Sequence, residues 1–192
     1  MPQRKLVRHV HEPGHLHELT FSCYRRLPLL TNDAWRTRLA RCLDEANREA
    51  KISLVGFVFM PEHLHLLVHP TDPDTAIGRY LARIKQPFSR EIKEILIRSG
   101  SDLLGRLTVL ERPGKTCFRF WQEGSGYDRN LFGSPAIRAS LAYIHENPVK
   151  RGLCPKAEDW PWSSARHYLS DPPSIPHPDL PTVHGMPLDA VT

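Results

Sequence analysis

The sequence predicts an α+β domain in which helices pack mainly on one face of a single antiparallel β-sheet. Segments that alternate apolar and polar residues, as strands do, are interleaved with segments whose apolar residues recur every three or four positions, as in helices. In chain order these segments are β-α-β-β-α-β-(β)-α. That order matches the ferredoxin-like, split βαβ arrangement.

The first strand and the first helix are predicted from residues 16–24, which alternate, and residues 34–50, which have helical periodicity. Thr31, Asn32 and Asp33 precede the helix, and any of the three suits its N-cap. The apolar stripe comprises Trp35, Leu39, Cys42, Leu43, Ala46 and Ala50. The expected outer face comprises Arg36, Arg38, Arg41, Asp44, Glu45 and Arg48.

A hairpin and a second helix follow. Residues 52–59 and 63–69 are rich in strand-forming residues and are joined by Pro61-Glu62, so they should pair as antiparallel strands. The second helix should start within residues 71–74 and end at Gly100. Pro87 lies inside it and should kink or break it. Its apolar stripe comprises Ile77, Tyr80, Leu81, Ile84, Phe88, Ile92 and Ile95.

The second half of the chain is less regular. Residues 101–116 resemble a loop, residues 117–122 alternate as a short strand, and residues 127–132 are a further candidate strand. A third helix should begin at Ser134 as its N-cap. It should stop before Pro148, because the residue preceding a proline avoids the helical conformation.

Length and composition indicate one domain. The 192 residues divide into a basic arm (1–14), a domain (15–168) and a Pro-rich tail (169–192) expected to be extended or poorly ordered. The net charge of +5 and pI near 9.2 favour an anionic partner such as nucleic acid. The four cysteines lack CxxC spacing, which argues against a zinc ribbon and indicates a cytosolic protein. No apolar run predicts a signal peptide or a membrane span.

One of three His-x-His pairs is a candidate metal site. The pairs are His9/His11, His15/His17 and His63/His65. The first lies in the arm and the second at a strand start expected to fray. Alternation on a strand points His63, His65 and Leu67 to one face, and two neighbouring imidazoles suit a divalent metal. The alternative is that both histidines are solvent-facing polar residues.

Tyr143 and Asn147 lie four residues apart near the end of the third helix, hence on one helix face. Facing the two histidines, they would form a compact site. Asn147 would add an oxygen ligand, and Tyr143 would add a nucleophile for a phosphate. The alternative is that Tyr143 packs in the core and Asn147 caps the helix before Pro148.

Four segments occur in an order that is more specific than any one of them. They are 58–67 (VFMPEHLHLL), 120–122 (FWQ), 143–153 (YIHENPVKRGL) and 159–164 (DWPWSS). Together they resemble the REP-associated tyrosine transposases, relatives of the single-tyrosine HUH transposases of bacterial insertion sequences. The resemblance covers about residues 15–168 and implies the HUH nuclease fold.

The resemblance implies a metal-dependent, single-stranded DNA endonuclease and strand transferase that forms a 5′-phosphotyrosine. His63 and His65 match the HUH histidines, with Leu64 between them, and Tyr143 matches the catalytic tyrosine. Asn147 falls where insertion-sequence members carry a glutamine as third ligand, one methylene longer. The implied metal is Mg²⁺ or Mn²⁺, although imidazole ligands also accept zinc or nickel.

The implied substrate is a single-stranded DNA hairpin from a repetitive extragenic palindrome, bound by basic and aromatic side chains. The basic candidates are Arg79, Arg83, Lys85, Arg90 and Lys93 on the second helix, Lys150 and Arg151 after the third, and Arg4, Lys5 and Arg8 in the arm. The aromatic candidates are Trp121, Trp160 and Trp162, of which at least two are expected in the core. The resemblance also favours a monomer in the bacterial cytoplasm, associated with the nucleoid.

Other interpretations stay open. Tyr127 is a rival nucleophile in an exposed Gly-rich turn, and His145 and Glu146 are expected to face solvent. The chain would alternatively be a catalytically silent DNA-binding regulator. A third interpretation is a metal-dependent phosphodiesterase in which water is the nucleophile and Glu62 or Glu146 is the general base.

Overall fold

The structure is a computed structural model that describes residues 12–124, 126–170 and 177–187. The arm predictions for His9, His11 and the basic residues before them lie outside this range. The strands are β1 (Leu16–Ser22), β2 (Ile52–Phe59), β3 (His63–Pro70), β4 (Thr108–Arg112), β5 (Lys115–Phe118) and β6 (Tyr127–Leu131). The helices are α1 (Asp33–Ala50), α2 (Ile77–Arg98), α3 (Leu103–Leu107), α4 (Ser134–Lys150) and α5 (Ala165–Leu169).

The main sheet is antiparallel with the strand order β2-β3-β1-β6. The chain passes from β1 through α1 to β2 at the edge, and β3 then returns between them. This is the split βαβ arrangement, so the predicted fold class is confirmed. It makes β3, which carries the candidate histidines, an inner strand with a fixed register on both sides.

The two faces of β3 belong to different cores. Leu64 and Leu66 pack with α1 and α2 in the larger core, whereas Leu67 packs with Leu141 and Ile144 of α4 in the smaller one. The alternation predicted for this strand is therefore confirmed. Two long helices cover one face, as expected, and α4 covers the other.

The edge of the sheet at β2 is covered by later parts of the chain. Phe59 N donates to Trp162 O at 2.8 Å, and Ser164 N donates to Phe57 O at 3.0 Å. Farther along β2, His184 N donates to Leu54 O at 2.8 Å. These bonds satisfy backbone groups that would otherwise be open to pairing with another chain. The DWPWSS segment and part of the Pro-rich tail thus have a structural role.

Gly56 of β2 lies directly under α4. A methyl group added at Gly56 would stand 2.4 Å from Leu141 Cδ1, well inside contact distance. Because overpacking displaces the helix or its side chain, we expect Gly56→Ala to lower the free energy of unfolding by about 1–3 kcal/mol in urea denaturation. Gly105→Ala, at a helical position with no atom within 4 Å, is the matched control and should not destabilise. Equal losses in both variants would contradict the packing explanation.

The loop predicted over residues 101–116 is wrong, because α3 and β4 lie there and β4 pairs with β5 as a separate hairpin. The strand predicted over residues 117–122 is also misplaced. β5 ends at Phe118, and Trp121 forms an isolated bridge with Cys23. Most side chains of β4 are exposed, so the burial pattern that reveals a core strand does not occur there.

Both prolines expected to interrupt helices lie within them. α2 runs unbroken through Pro87, and it begins at Ile77, later than expected. α4 continues past Pro148 to Lys150, and after the helix ends Leu153 N donates to the Pro148 carbonyl at 2.9 Å. A proline removes one backbone donor but leaves its acceptor available to the following turn.

Two N-caps were predicted. Asn32 caps α1, its side chain accepting from Trp35 N at 3.1 Å. For α4, the residue before the helix is Gly133, one position earlier than the predicted Ser134. A difference of one residue is within the usual variation of helix boundaries.

Two polar residues expected at exposed or frayed positions are buried. Arg36 of α1 is 6 % exposed because Trp160 and Trp162, distant in sequence, pack over its guanidinium. His17 lies fully buried inside β1, with Nδ1 2.8 Å from Asp128 Oδ1 of β6. Both burials depend on partners more than 100 residues away, which local periodicity cannot reveal. None of the helices in the described part of the chain has the length and apolarity needed to cross a bilayer.

Candidate active site

The site lies on the face of the sheet that α4 covers. Register pairs Ser22 with His63, and Thr20 with both His65 and Tyr127, so one cross-strand row runs Tyr127, Thr20, His65. Both histidines are 5 % exposed, so the alternative that they face solvent is wrong. Their shared direction is set by the strand, as the sequence predicted.

The two imidazoles meet through their Nε2 atoms, which are 3.1 Å apart. Each Nδ1 has an oxygen partner. His63 Nδ1 donates to Glu62 Oε1 at 3.0 Å, and His65 Nδ1 lies 2.8 Å from the Thr20 hydroxyl. With its Nδ1 donating to Glu62, His63 has a lone pair on Nε2 that can accept a hydrogen bond from His65 Nε2 or bind a cation. One ion at about 2.1 Å from each nitrogen would satisfy both.

A charged network surrounds His63. Arg151 Nη1 donates to Glu62 Oε1 at 2.7 Å, and Arg26 Nη2 lies 3.8 Å from the same oxygen. Burial raises the pKa of Glu62, but the bonds from Arg151 and His63 outweigh burial, so its pKa lies below the ordinary value. The Arg151–Glu62–His63 chain ties the end of α4 to the start of β3.

Both histidines favour the neutral form, which is the form that ligates metals. Burial, only partly offset by Glu62, lowers the pKa of His63. Burial, with smaller contributions from His63 and Arg26, lowers the pKa of His65 to about 4. The site therefore keeps its imidazole nitrogens available at neutral pH.

Tyr143 stands beside the histidines on α4. Its ring centroid lies 5.6 Å from that of His65 in an edge-on arrangement, and Lys150 Nζ lies 5.3 Å from its ring. The side chain is 45 % exposed, so the core-packing alternative for Tyr143 is wrong. An exposed phenol beside two buried imidazoles is accessible to a polymer substrate.

Asn147 lies one helical turn after Tyr143. Its Nδ2 donates to the Tyr143 carbonyl at 2.8 Å, so the amide oxygen is the atom that remains to accept or ligate. Two imidazole nitrogens and one amide oxygen are a donor set that divalent cations accept. The donor chemistry thus fits a metal.

An open pocket of about 420 Å³ begins at His65 and Tyr143. Its lining residues are Glu18, Thr20, His65, Tyr127, Arg129 and Tyr143. Tyr127 is 49 % exposed, as the sequence predicted, and it faces the same pocket as Tyr143. Both candidate nucleophiles are therefore available to one substrate.

The structure places the predicted DNA-contacting residues in two groups. Lys150 and Arg151 lie at the site. The cations of α2 (Arg79, Arg83, Lys85, Arg90 and Lys93) belong to a helix that packs on the opposite face of the sheet. Of these, Arg83 is paired with Glu49, and Lys85 donates to Gly124 O, with burial lowering its pKa to about 8.

The tryptophans pack in the core more than they face solvent. Trp121 and Trp162 are each 7 % exposed, and Trp160 is partly buried against both cores. The prediction that at least two of the three belong to the core is confirmed.

Sequence reasoning missed four residues that shape the site: Glu18, Thr20, Arg26 and Arg129. Arg26 follows β1 in a turn in which it and Arg25 both adopt positive φ, 53° and 52°. Such backbone conformations are uncommon for residues other than glycine and often occur at functional sites. Glu18 and Thr20 lie two residues apart on β1 and therefore share one face of the strand, so the period of the strand was the signal that could have found them.

The prediction that His145 faces solvent is wrong, because the residue is only 3 % exposed. Its Nε2 lies 2.8 Å from Ser164 Oγ, and its ring packs near Tyr168. Burial, with a smaller effect of His167, lowers its pKa to about 4. Glu146, on the next position of the helix, is exposed as expected.

This burial gives a pH-dependent stability. The unfolded His145 takes up a proton near pH 6.5, whereas the folded one does so only near pH 4, so stability falls as pH drops through this interval. Between pH 7 and pH 5 the loss should be about 2 kcal/mol. We expect His145→Gln to remove that part of the pH dependence in urea denaturation with chelator present. An unchanged difference between the two pH values would contradict it.

Comparisons with known proteins place the sequence among transposases. A family model described as "Transposase IS200 like" matches residues 12–106. A Haemophilus influenzae protein named as a REP-associated tyrosine transposase is 27 % identical over 110 residues, which are 57 % of this chain and 57 % of that protein. The match thus spans little more than half of that relative's length.

Among the solved structures, one shares the fold of this chain. The structure of a REP-associated tyrosine transposase bound to a REP hairpin superposes with a TM-score of 0.65 at 19 % identity, covering 98 % of both chains. A transposase structure from Deinococcus radiodurans has a TM-score of 0.45 at 18 % identity, covering 75 % of this chain and 97 % of that one. The first of these likenesses shows that this chain has the fold of that transposase.

Proposed function

Since this chain belongs to the IS200-like transposase family, we propose that it cleaves and rejoins single-stranded DNA through a covalent bond to Tyr143. The DNA would be a hairpin with a single-stranded flank, as in repetitive extragenic palindromes. The structural neighbour is bound to a REP hairpin, which supports this substrate class.

One observation carries the proposal. Tyr143 reaches the site from α4, and His63 and His65 reach it from β3, elements that join only through the tertiary fold. An exposed phenol thereby stands at the edge of a buried imidazole pair whose nitrogens converge. A structural zinc site would instead close around its ion with four ligands.

The chemistry needs a nucleophile and stabilisation of charge. The Tyr143 phenol loses its proton, its oxygen bonds to the phosphorus, and the bond from phosphorus to the 3′ oxygen breaks. That oxygen takes up a proton and leaves as a 3′-hydroxyl, and the 5′-phosphate stays on tyrosine. The reverse attack by a 3′-hydroxyl rejoins strands without an added energy source. Lys150, beside the tyrosine ring, offsets phosphate charge.

His63, His65 and Asn147 would hold a divalent cation, Mg²⁺ or Mn²⁺. When bound, the cation supplies positive charge for the scissile phosphate and its leaving oxygen. Glu62 and Thr20 hold the imidazoles in the orientation that directs both Nε2 atoms into the site.

DNA binding would extend beyond the site. Arg151 joins Lys150 there, and Arg79, Arg83, Lys85 and Arg90 of α2 would contact a substrate long enough to pass around the edge of the sheet. Phosphate contacts of this kind supply affinity without sequence preference. A single chain contributes the tyrosine and all three proposed ligands, so we propose that it acts as a monomer.

The test is to trap the covalent intermediate and locate it. Wild-type protein is incubated with labelled single-stranded hairpins from the repeats of the source genome, with Mn²⁺ or with chelator, and resolved on a denaturing gel. We expect a shifted band only with metal. Trypsin cleaves after Arg138 and Lys150, so the nucleotide should be found on the peptide 139–150. Tyr127 lies in a different peptide.

Three results would overturn the proposal. Cleavage with metal but no adduct indicates a phosphodiesterase that uses water. DNA binding without cleavage indicates a silent regulator. A nucleotide on the peptide that contains Tyr127 moves the nucleophile from α4 to β6.

A further inference from the structure

We propose that the pocket between β6 and α4 binds a nucleotide of the single-stranded flank next to the scissile phosphate. The base would stack on Tyr127, and a backbone phosphate would pair with Arg129. This inference rests on the proposed function, because it takes Tyr143 as the point of cleavage.

The position of Tyr127 is fixed by the sheet. In the row Tyr127, Thr20, His65, one strand separates Tyr127 from His65, and neighbouring strands lie about 4.8 Å apart. His65 in turn contacts Tyr143. The two tyrosines thus line one pocket across the width of two strand spacings, a span that suits one nucleotide beside the reacting phosphate.

Gly126 fixes this placement further. Its φ is +79°, and a methyl group there would stand 2.2 Å from the Thr20 carbonyl oxygen. The chain therefore approaches β1 closely just before Tyr127, in a conformation that glycine adopts readily. Tyr127 enters the sheet from a tight junction, which sets the place of its half-exposed ring.

Arg129 is held in place yet accessible. Its Nη2 donates to Glu18 Oε2 at 2.6 Å, and Ser140 Oγ of α4 donates to the same oxygen at 2.8 Å. Glu18 is 4 % exposed, whereas the Arg129 side chain is 49 % exposed. A guanidinium has five donors, so one anchored to a buried carboxylate can still present others to a phosphate.

The combination favours single-stranded DNA over a small molecule. The pocket is open, it begins at the proposed nucleophile, and it offers one aromatic face and one cation. Aromatic faces stack with any base, and cations track the backbone, which is how single strands are bound. Arg129 supplies positive charge within the pocket, and Lys150 lies beside the ring of Tyr143, which also lines it.

The test measures binding by fluorescence anisotropy with a fluorescein-labelled DNA hairpin that carries a flanking single strand. We expect Tyr127→Ala to weaken binding about 10-fold and Tyr127→Phe to bind as the wild type does. A series of the same DNA, each with one abasic position along the flank, locates the stacked base. An abasic site at that position should weaken DNA binding by the wild type about 10-fold, as Tyr127→Ala does. The same abasic site should not weaken DNA binding by Tyr127→Ala any further.

The charge contribution is tested through salt. Arg129→Gln should reduce the slope of log affinity against log salt by about one, and Arg129→Lys, which keeps the charge beside Glu18, should restore most of it. Arg48→Gln is the matched control, because Arg48 is exposed on α1 over the opposite face. Thermal unfolding checks that each variant is folded.

The outcomes separate this inference from the proposed function. Wild-type binding by Tyr127→Ala, or equal losses at every abasic position, would overturn the nucleotide pocket even if Tyr143 still forms its adduct. Loss of the adduct in Tyr127→Phe would also overturn it, because Tyr127 would then react rather than stack. If Tyr127→Ala and one abasic position weaken binding by the same factor but the wild type forms no adduct, the nucleotide pocket would be supported and the proposed cleavage rejected.

Discussion

Tyr143→Phe is expected to bind the DNA hairpin as tightly as the wild type and to form no covalent adduct. The variant keeps the ring that meets His65 edge-on at 5.6 Å and loses only the oxygen that would attack phosphorus. Removing the nucleophile of an enzyme that works through a covalent intermediate lowers its rate on the order of 10⁴-fold or more. Denaturing gels measure the adduct, and anisotropy measures the binding.

Tyr127→Phe is the matched control for this prediction. Tyr127 has nearly the same exposure as Tyr143, 49 % against 45 %, and lines the same pocket, so the two variants differ mainly in which hydroxyl is missing. The adduct should persist in Tyr127→Phe. An adduct that survives in Tyr143→Phe and disappears in Tyr127→Phe would assign the reaction to β6.

The site could be predicted from sequence where its geometry is local. The direction of His63 and His65 follows from the period of one strand, and the shared face of Tyr143 and Asn147 follows from one helical turn. Both are statements about neighbours within five residues. The fold class could likewise be predicted, because it depends on the order of such local patterns.

What could not be predicted depends on which surfaces meet. The sequence of α4 does not indicate that this helix packs on the face of the sheet opposite α1 and α2. That placement brings Tyr143 next to His65. The bond from Arg151 to Glu62 joins residues 89 positions apart. His145 was misjudged for the same reason, since its partner Ser164 lies in a later segment that covers the sheet edge.

The metal site gives the second prediction of large effect. We expect His65→Ala, studied as the full chain without DNA, to lower the affinity for Mn²⁺ by at least about 100-fold, because replacing even a residue that only supports a ligand costs 10- to 100-fold. The reason is that His65 Nε2 is one of two nitrogens only 3.1 Å apart, so a cation loses one of two converging donors. Isothermal titration with Mn²⁺ measures the effect independently of cleavage.

Glu146→Gln is the control for charge, since Glu146 is an exposed acid on α4, one residue before Asn147. It should bind Mn²⁺ nearly as the wild type does. Glu62→Gln should fall between the two, because the amide still accepts from His63 Nδ1 but no longer carries the charge that Arg151 and His63 both contact. DNA affinity in His65→Ala should remain close to that of the wild type, since it comes chiefly from phosphate contacts. Unchanged Mn²⁺ affinity in a folded His65→Ala would show that the ion binds elsewhere, and the converging imidazoles would then need another explanation.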